Sequence, residues 1–350
     1  MKQGVKFLGG GLLAAFLLWV VLRDVEPREL VAALGRASIR GLLLAGLVNL
    51  SHNVFRAWRW GLLLNPVRAR ISFRSRFSAI IIGYLTTWTI PGRLGELVRP
   101  ALLSAKEKVP LGPCIGSVVA DRLLDGVAIV VLFALGVWIA PPTAAGSDYA
   151  VRIGDIAWAL LVVLLVALAL LIVAGSLRAR IQAWVDRRTG VLRFAGRACM
   201  SLIAGTDALR RPSLLFPIIG QSLLAWLIIA LATWIGVRSG GAQVPFGAIL
   251  VLLPQLALGV ALPTPGGAGG YHYFMKVGLQ LYGVSEPVAV SAALLVHLTM
   301  TLPVIFAGMA LLRVDGVSFG ELRDIVRDAM RGSGGTESLA PVESPVKAAL

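Results

Sequence analysis

Long apolar stretches dominate this sequence and restrict it to a fold that spans a membrane. Only 15% of the 350 residues are charged and 57% are hydrophobic, whereas a soluble domain carries about a quarter charged residues. Crossing the hydrocarbon core of a bilayer requires about 20 mostly apolar residues. We therefore predict an all-α polytopic membrane protein, with crossings at about 5–22, 41–64, 115–140, 156–175, 214–237 and 288–312.

Two further apolar stretches, at about 77–104 and 247–283, are interrupted by proline and glycine. The loops at 65–76 and 176–213 are rich in arginine, and short basic loops stay on the cytoplasmic side. The second of these loops reaches that side together with the first only if the stretch at 77–104 enters and leaves the membrane by the same face, and we expect the same of the stretch at 247–283. We therefore predict six crossing helices and two re-entrant helical hairpins in the cell (inner) membrane, with both termini cytoplasmic.

The two interrupted stretches resemble each other at one constant, ungapped offset. The matched hairpin positions are Pro91, Gly92 and Gly95 in the first and Pro265, Gly266 and Gly269 in the second. We interpret units at about 77–140 and 247–312 as an inverted repeat, because three predicted crossings separate the hairpins. Such repeats with broken helices indicate a transporter whose site lies at the repeat interface. The alternative is coincidence, since proline and glycine are common in membrane helices.

The chain divides into a predicted transmembrane domain at 1–315 and a cytoplasmic tail at 316–350. Charged residues in the first part of the tail suit a short surface helix. We expect disorder after about residue 332, where the composition becomes polar and poor in large apolar side chains.

Charged side chains at membrane depth are costly, so they are candidates for function. Arginine forks bind phosphate through two bonds, and helix starts after glycine-rich turns favour anions. The alternative is an ion-pair network that only holds the hairpin in place. In that network Glu96 would pair with Arg99, and Asp121 or Asp125 would pair with Arg122. The candidates in the first unit are Arg93, Glu96, Arg99, Asp121, Arg122 and Asp125.

The second unit offers aromatic, imidazole and amine groups where the first unit offers arginine and carboxylate. The two units are therefore interpreted as specialised walls of one lipid headgroup site. The candidates in the second unit are Gly266, Gly267, Tyr271, His272, Lys276 and His297.

Another set of polar and aromatic residues lies near predicted membrane interfaces. Arginine near the cytoplasmic end of a crossing can extend its charge to the headgroups, and tryptophan is enriched at both interfaces. We interpret the arginines as interfacial, with substrate contact as the alternative, and the tryptophans as belt residues. The set comprises His52, Arg56, Arg59, Trp58, Trp60 and Trp88.

Motifs of soluble enzymes are missing from this sequence. It contains no nucleotide-binding glycine loop, no zinc-type ligand spacing and no nucleophile with a base beside it. The basic residues behind the net charge of +15 cluster in short loops, which argues against a nucleic-acid partner. We expect no catalytic residue, no metal and no cofactor, and predict that the protein is not an enzyme.

Four segments together resemble the lysylphosphatidylglycerol synthase transmembrane-region family of flippase-like membrane proteins, over roughly residues 5–315. The resemblance implies a bacterial or archaeal membrane protein; in the aminoacyl-phospholipid members of the family, this region moves the modified lipid from the inner to the outer leaflet. Members with a synthase domain charge the lipid from aminoacyl-tRNA; this sequence ends without one, so we expect no lysyl transfer. The segments are Arg56-Ala-Trp-Arg-Trp60, Pro91-Gly-Arg-Leu-Gly-Glu-Leu-Val-Arg-Pro100, Asp121-Arg-Leu-Leu-Asp125 and Pro263-Thr-Pro-Gly-Gly-Ala-Gly-Gly270.

We therefore predict a flippase for an anionic or aminoacylated phospholipid, or for a polyprenyl-phosphate lipid. Without an ATP-binding motif, transport would be facilitated or coupled to an ion gradient. One alternative is a membrane partner of a separately encoded lipid synthase. Another is a membrane-embedded lipid-modifying transferase, with Glu96 or Asp121 as its base. The lipid, the direction of transport and the oligomeric state stay open.

Overall fold

The computed structural model describes residues 2–89, 95–142 and 147–330, and within these ranges the chain is helical, with no strand. Two short 3-10 turns, Asp207–Arg210 and Pro265–Gly267, interrupt the succession of α-helices. The α-helices are α1 (Lys2–Leu22), α2 (Pro27–Gly35), α3 (Ile39–Leu64), α4 (Phe73–Thr89), α5 (Gly95–Glu107), α6 (Leu111–Ile139), α7 (Ser147–Ser176), α8 (Arg178–Asp186), α9 (Gly190–Ala204), α10 (Pro212–Ser239), α11 (Phe246–Ala261), α12 (Gly270–Gln280), α13 (Glu286–Asp315) and α14 (Phe319–Met330).

Each of the six predicted crossings is helical in the structure, as α1, α3, α6, α7, α10 and α13. Among the described residues, four helices are long and apolar enough to cross a membrane: α6, α7 from residue 158, α10 and α13. The pair α2 and α3 makes a fifth candidate if its bend of 78° lies within one span. The protein is therefore a multi-pass membrane protein, and the number of six crossings stays a prediction.

The segment at 176–213 contains two helices, α8 and α9, where the sequence suggested an arginine-rich loop. The arginines lie on exposed faces, while apolar side chains such as Met200 are buried. Helix α9 packs closely on α6. The close approach is evident at Gly116 of α6, where a side chain would clash with the Leu202 carbonyl of α9. The prediction of a loop was therefore wrong in detail, because an apolar face that packs on the bundle stabilises a helix in this segment.

The helix boundaries of the two predicted repeat units correspond closely. At the offset that places Pro91 on Pro265, each end of α4, α5 and α6 falls within two positions of the corresponding end of α11, α12 and α13. In each unit the first two helices pack against each other. The shared pattern of a helix pair followed by one long helix supports a common origin for the two units.

Four helices surround the centre of the molecule: α3 packs along α10, and α5 and α6 pack beside them. Trp60, Leu63 and Leu64 on α3 are fully buried in this region. Helix α4 lies between α5 and α13 and also contacts the turn Pro265–Gly267 of the second unit. Helices from the first and the second half of the chain therefore pack together in this region.

Helix α14 lies at the end of the described chain and packs on α5. Ser318 and Glu321 form a capping box, in which each side chain accepts a bond from the other residue's backbone N–H. The bonds from the Ser318 N–H and hydroxyl lower the pKa of the Glu321 carboxyl. Leu322 and Val326 are buried against the bundle, whereas the predicted disorder after 332 lies outside the described residues.

Close packing of α4 on α5 predicts a large effect of a single methyl group. A Cβ at Gly95 would clash with the Gly83 carbonyl oxygen and the Thr87 hydroxyl. We expect Gly95→Ala to lower the free energy of unfolding by about 1–3 kcal/mol, the usual cost of overpacking. Thermal unfolding in detergent would measure it.

Gly220→Ala is the matched control, because no heavy atom lies within 4 Å of a Cβ built at that position of α10. This substitution should stabilise the helix by about 0.5–1 kcal/mol, since alanine loses less backbone entropy than glycine. Equal melting temperatures for the two variants would contradict the close approach of α4 and α5.

Candidate functional site

Two carboxylates on α6, Asp121 and Asp125, form the centre of a buried ion-pair network. They lie one helical turn apart, so they face the same side of α6. Asp121 is completely buried, and its two oxygens pair with different arginines. Its Oδ1 lies 2.6 Å from Nη2 of Arg59, and its Oδ2 accepts a bond of 2.8 Å from Nη1 of Arg99.

Asp125 is also buried and gathers side chains from three helices. Its Oδ2 lies 2.9 Å from Nη2 of Arg56 and 3.3 Å from Nη1 of Arg122. Its Oδ1 accepts bonds of 2.8 Å from Nη2 of Arg59 and 3.1 Å from the indole N–H of Trp226. The carboxylate is therefore saturated with donors, as a buried charge must be to be tolerated.

Glu96 at the start of α5 pairs with Arg122 of α6. The carboxylate oxygens lie 2.9 and 3.0 Å from Nη2 of Arg122, and the two side chains are about one third exposed. The suggested pairing of Glu96 with Arg99 was wrong, because Arg99 points to Asp121 instead. Among the charges of the network, Glu96 and Arg122 therefore form its accessible edge.

Arg56 and Arg59 of α3 were expected at a membrane interface, and the structure corrects this. Their side chains are 3% and 0% exposed and bind the α6 carboxylates. Arg59 also donates a bond of 2.8 Å to the Ser222 hydroxyl on α10. Their three-residue spacing within an apolar helix was the signal that could have identified them, since it places both charges on one face.

Trp60 was expected in an interfacial belt, yet it is fully buried beside this network. Its indole N–H donates a bond of 2.8 Å to the Ser117 hydroxyl, and the Arg99 guanidinium lies 4.2 Å from its ring centre. Such a cation–π contact favours a desolvated guanidinium. Trp58, by contrast, is 56% exposed, as expected for a residue that faces lipid.

The described charges of this network do not balance. Four arginines meet three carboxylates, which leaves a formal charge of +1. Several buried guanidinium nitrogens have no hydrogen-bond acceptor among the described residues: Nε and Nη1 of Arg56, and Nε and Nη2 of Arg99. Buried polar atoms without partners are rare in native structures, so these N–H groups are available to an anionic ligand. We call this set the arginine–carboxylate cluster: Arg56, Arg59, Glu96, Arg99, Asp121, Arg122 and Asp125.

A second polar group forms where the hairpin of the second unit meets α4. The imidazoles of His272 and His297 stack with their centres 4.6 Å apart. Tyr271 and Trp88 contact His297 edge-on, with ring centres 5.0 and 5.6 Å away. We call these four residues the aromatic–imidazole group. Trp88, expected in an interfacial belt, is instead part of an internal polar surface.

The glycine-rich turn that precedes α12 brings this group together. Gly266, Gly267 and Gly269 have φ angles of +60°, +71° and +82°, a region that side-chain-bearing residues rarely adopt. The Gly269 N–H donates a bond of 3.1 Å to Nδ1 of His272, which orients that ring. A Cβ at Gly266 would lie 3.2 Å from the Trp88 ring, so the turn itself touches α4.

Helix α4 connects the arginine–carboxylate cluster to the aromatic–imidazole group. The Arg56 guanidinium lies 5.9 Å from the centre of the Tyr84 ring. Trp88 follows Tyr84 by one turn, and side chains four residues apart on a helix are neighbours about 5–6 Å apart. The two polar sets therefore lie next to each other, one turn apart along α4.

Not every predicted site residue joins these two sets. Lys276 pairs with the Glu286 carboxylate and lies 3.4 Å from the Val21 carbonyl oxygen, so its charge is directed away from the imidazoles. Gly267 packs on Val260. Pro91, Gly92 and Arg93 lie outside the described residues.

Comparison with known proteins places this geometry in a lipid context. A family model described as "Lysylphosphatidylglycerol synthase TM region" matches residues 7–308. The chain is also similar to Glycosyltransferase AglD of Haloferax volcanii, with 23% identity over 341 residues that cover 88% of this chain and 54% of that protein. This chain thus spans about half the length of that curated relative. The matches indicate a membrane lipid-related function.

Proposed function

This chain belongs to the lysylphosphatidylglycerol synthase transmembrane-region family, and on that premise we propose that it moves phosphate-bearing lipids between the leaflets of the cell membrane. The observation that supports this most directly is the arginine–carboxylate cluster. It carries a formal charge of +1 and holds buried guanidinium N–H groups on Arg56 and Arg99 that have no acceptor in the described parts of the chain. A headgroup phosphate would balance this charge and accept bonds from these N–H groups.

The carboxylates of this cluster act as positioning groups in the proposal. Asp121 holds Arg99 and Arg59, while Asp125 holds Arg56 and Arg59. The aspartate that pairs with Arg56 or with Arg99 contacts only part of the guanidinium group, so the rest of that group stays free. Fixed in this way, the free edges are oriented before a lipid arrives, which lowers the entropic cost of binding.

The proposed topology has six crossings, two re-entrant hairpins and two cytoplasmic termini. The helix pairs α4–α5 and α11–α12 would enter and leave the membrane by the same face, in opposite orientations. Their meeting point at Trp88 and Gly266 then lies at the repeat interface. Transporters built from inverted repeats bind their substrates at this interface, and non-helical backbone at that depth lines a polar pathway.

In this proposal the lipid tails stay in the bilayer while the headgroup passes the arginine–carboxylate cluster. Transport is facilitated or coupled to an ion gradient, and the protein carries out no covalent chemistry and uses no cofactor. Glu96 and Arg122 are the partly exposed members, so they lie where a headgroup first meets the cluster.

The test is reconstitution into liposomes that carry trace lipids labelled in the acyl chain, one class in each batch. The panel holds phosphatidylglycerol, its lysyl form, phosphatidylethanolamine and a polyprenyl phosphate. An impermeant reductant bleaches only the dye in the outer leaflet, so bleaching beyond that share measures movement. We expect excess bleaching for at least one lipid, and a reduction of about tenfold in Glu96→Gln, which loses a charge-assisted pairing with Arg122.

The Glu96→Gln variant should keep its fold, because Glu96 is partly exposed and lies at the edge of the network. An unchanged melting temperature would verify this. Lipid movement by Glu96→Gln at the rate of the unmodified protein would refute this site, and no movement of any lipid would refute translocation.

A second candidate function follows from the relative named a glycosyltransferase, of which this chain spans about half. The chain would then act as the membrane partner of a separate lipid-modifying enzyme. Affinity purification from native membranes would recover a synthase or transferase in stoichiometric amount under this hypothesis. Formation of a modified lipid by the purified chain alone would instead support a membrane-embedded transferase.

A further inference from the structure

We propose that the lipid has a phosphate diester with an uncharged polyol headgroup, such as a sugar, rather than a cationic aminoacyl headgroup. This proposal rests on the translocation proposed above and adds the class of substrate. It follows from the pairing of the carboxylates and from the character of the adjacent wall.

A cationic headgroup requires a carboxylate to receive it, and each carboxylate of the cluster is already paired. Asp121 and Asp125 are bound by buried arginines, and Glu96 is bound by Arg122. The cluster has a formal charge of +1, so an ammonium group would add repulsion. A desolvated charge without a partner is strongly disfavoured.

The aromatic–imidazole group beside the cluster also offers no negative charge. Neither imidazole pairs with a carboxylate among the described residues, and the two rings are stacked 4.6 Å apart. Protonation of both at that distance would be opposed by repulsion between like charges. The wall is therefore suited to an uncharged group rather than to an ammonium.

The second unit also holds buried neutral polar atoms that have no hydrogen-bond partner among the described residues. They are Nδ1 of His297, the hydroxyl of Thr264 beside the glycine-rich turn, and both amide atoms of Gln255 on α11. Hydroxyl groups donate and accept, so they match imidazole, hydroxyl and amide groups alike. The C–H face of a sugar ring also packs well on the ring of Trp88 through dispersion.

The two polar sets lie close together along α4. The Arg56 guanidinium lies 5.9 Å from the centre of the Tyr84 ring, and Trp88 follows Tyr84 by one turn. In this proposal a phosphate bound by Arg56 has its attached sugar on the side of Trp88 and His297, whose rings are in contact. One helical turn separates the two parts of the site.

The experiment compares lipids that differ in one feature. Phosphatidylglycerol and its lysyl form differ in the cationic group, and phosphatidylinositol and phosphatidylmethanol, both phosphate diesters, differ in the polyol. A glucosyl phosphopolyprenol tests whether the phosphate diester of the substrate is attached to a diacyl lipid or to a polyprenyl chain. We expect phosphatidylglycerol to move at least about tenfold faster than its lysyl form, given the cost of an unpaired charge.

Trp88→Leu tests the aromatic wall, with Trp58→Leu as the matched control, because Trp58 is exposed toward lipid. In the unmodified protein we expect phosphatidylinositol to move about three- to tenfold faster than phosphatidylmethanol, the effect of one aromatic contact. This ratio should approach one in Trp88→Leu and stay unchanged in Trp58→Leu. Since both lipids are measured on the same sample, the ratio does not depend on how much protein folds.

The outcomes separate this inference from the function on which it rests. Movement of the lysyl form at the rate of phosphatidylglycerol would overturn the inference and leave translocation intact. Equal rates for phosphatidylinositol and phosphatidylmethanol in the unmodified protein would overturn the role of the polyol. If no lipid of this panel moved, translocation itself would fail. Should Trp88→Leu not fold, His297→Phe replaces it and must lower the same ratio.

Discussion

Asp121→Ala is expected to be the most damaging substitution in this protein, with a loss of about 3–5 kcal/mol in the free energy of unfolding. Asp121 is completely buried and pairs with both Arg59 and Arg99. Its removal leaves Arg99 as a buried charge without a carboxylate, and breaking a buried pair from one side carries a cost of this size. Thermal unfolding in detergent, monitored as the loss of monodisperse protein with temperature, would measure the effect.

The control for this prediction is Asp24→Ala, which removes an acid from an ion pair of exposed side chains. Arg23 and Asp24 are about half exposed, and water screens such pairs. We expect no measurable change in the melting temperature of this variant. If Asp121→Ala and Asp24→Ala had the same melting temperature, the network would contribute nothing to the stability of the bundle.

Arg99→Lys is expected to slow lipid movement by at least about 100-fold while the protein stays folded. Lysine can keep the ion pair with Asp121 and the contact with the Trp60 ring, which together hold Arg99 in place. It cannot present the free Nε and Nη2 donors, which we assign to the headgroup phosphate. Two charge-assisted bonds of about 1.5–3 kcal/mol each account for the expected loss.

This substitution separates a binding role from a structural role of the same side chain. The measurement is the bleaching rate in liposomes, normalised to the amount of folded protein in the membrane. Arg23→Lys is the control, since Arg23 lies on the surface and pairs with Asp24. A normal rate for Arg99→Lys would mean that a single charge is enough and that the free edge of the guanidinium binds no phosphate.

Both predictions arise from one feature, the use of each arginine for two purposes. One edge of Arg56 and of Arg99 is held by an aspartate, and the remaining nitrogens have no acceptor among the described residues. The carboxylates contribute to stability, whereas the free donors contribute to binding. A protein that binds an anion at membrane depth requires both, because an arginine without a partner would not stay buried.

Much of the fold was predictable from the sequence, because it depends on local composition. Apolar stretches of sufficient length predict helices in a membrane, and the structure contains a helix at each of the six predicted crossings. The offset that relates Pro91 to Pro265 also relates the helix boundaries of α4–α6 to those of α11–α13. Both results follow from properties that neighbouring residues determine without help from distant ones.

The sequence predicted part of the buried charge cluster, whereas the role of these residues in binding a substrate stays a prediction. Arg99, Asp121 and Asp125 stand out as charges in apolar segments, and the structure brings them together. Arg56 and Arg59 were interpreted as interfacial, although they lie at the centre of the same network. Their position along α3 is compatible with either location, and only the packing of α3 against α6 and α10 decides between them.

The sequence by itself determined that this protein is a helical, multi-pass membrane protein and which charges are costly within it. Tertiary structure alone decided which arginine meets which carboxylate, that Glu96 pairs with Arg122, and that Trp88 meets His297. Hydropathy is a sum over neighbouring residues, so it can be read along the chain. An ion pair between α3 and α6 depends on the relative rotation of two helices that are distant in sequence, and the packing of the whole bundle determines that rotation.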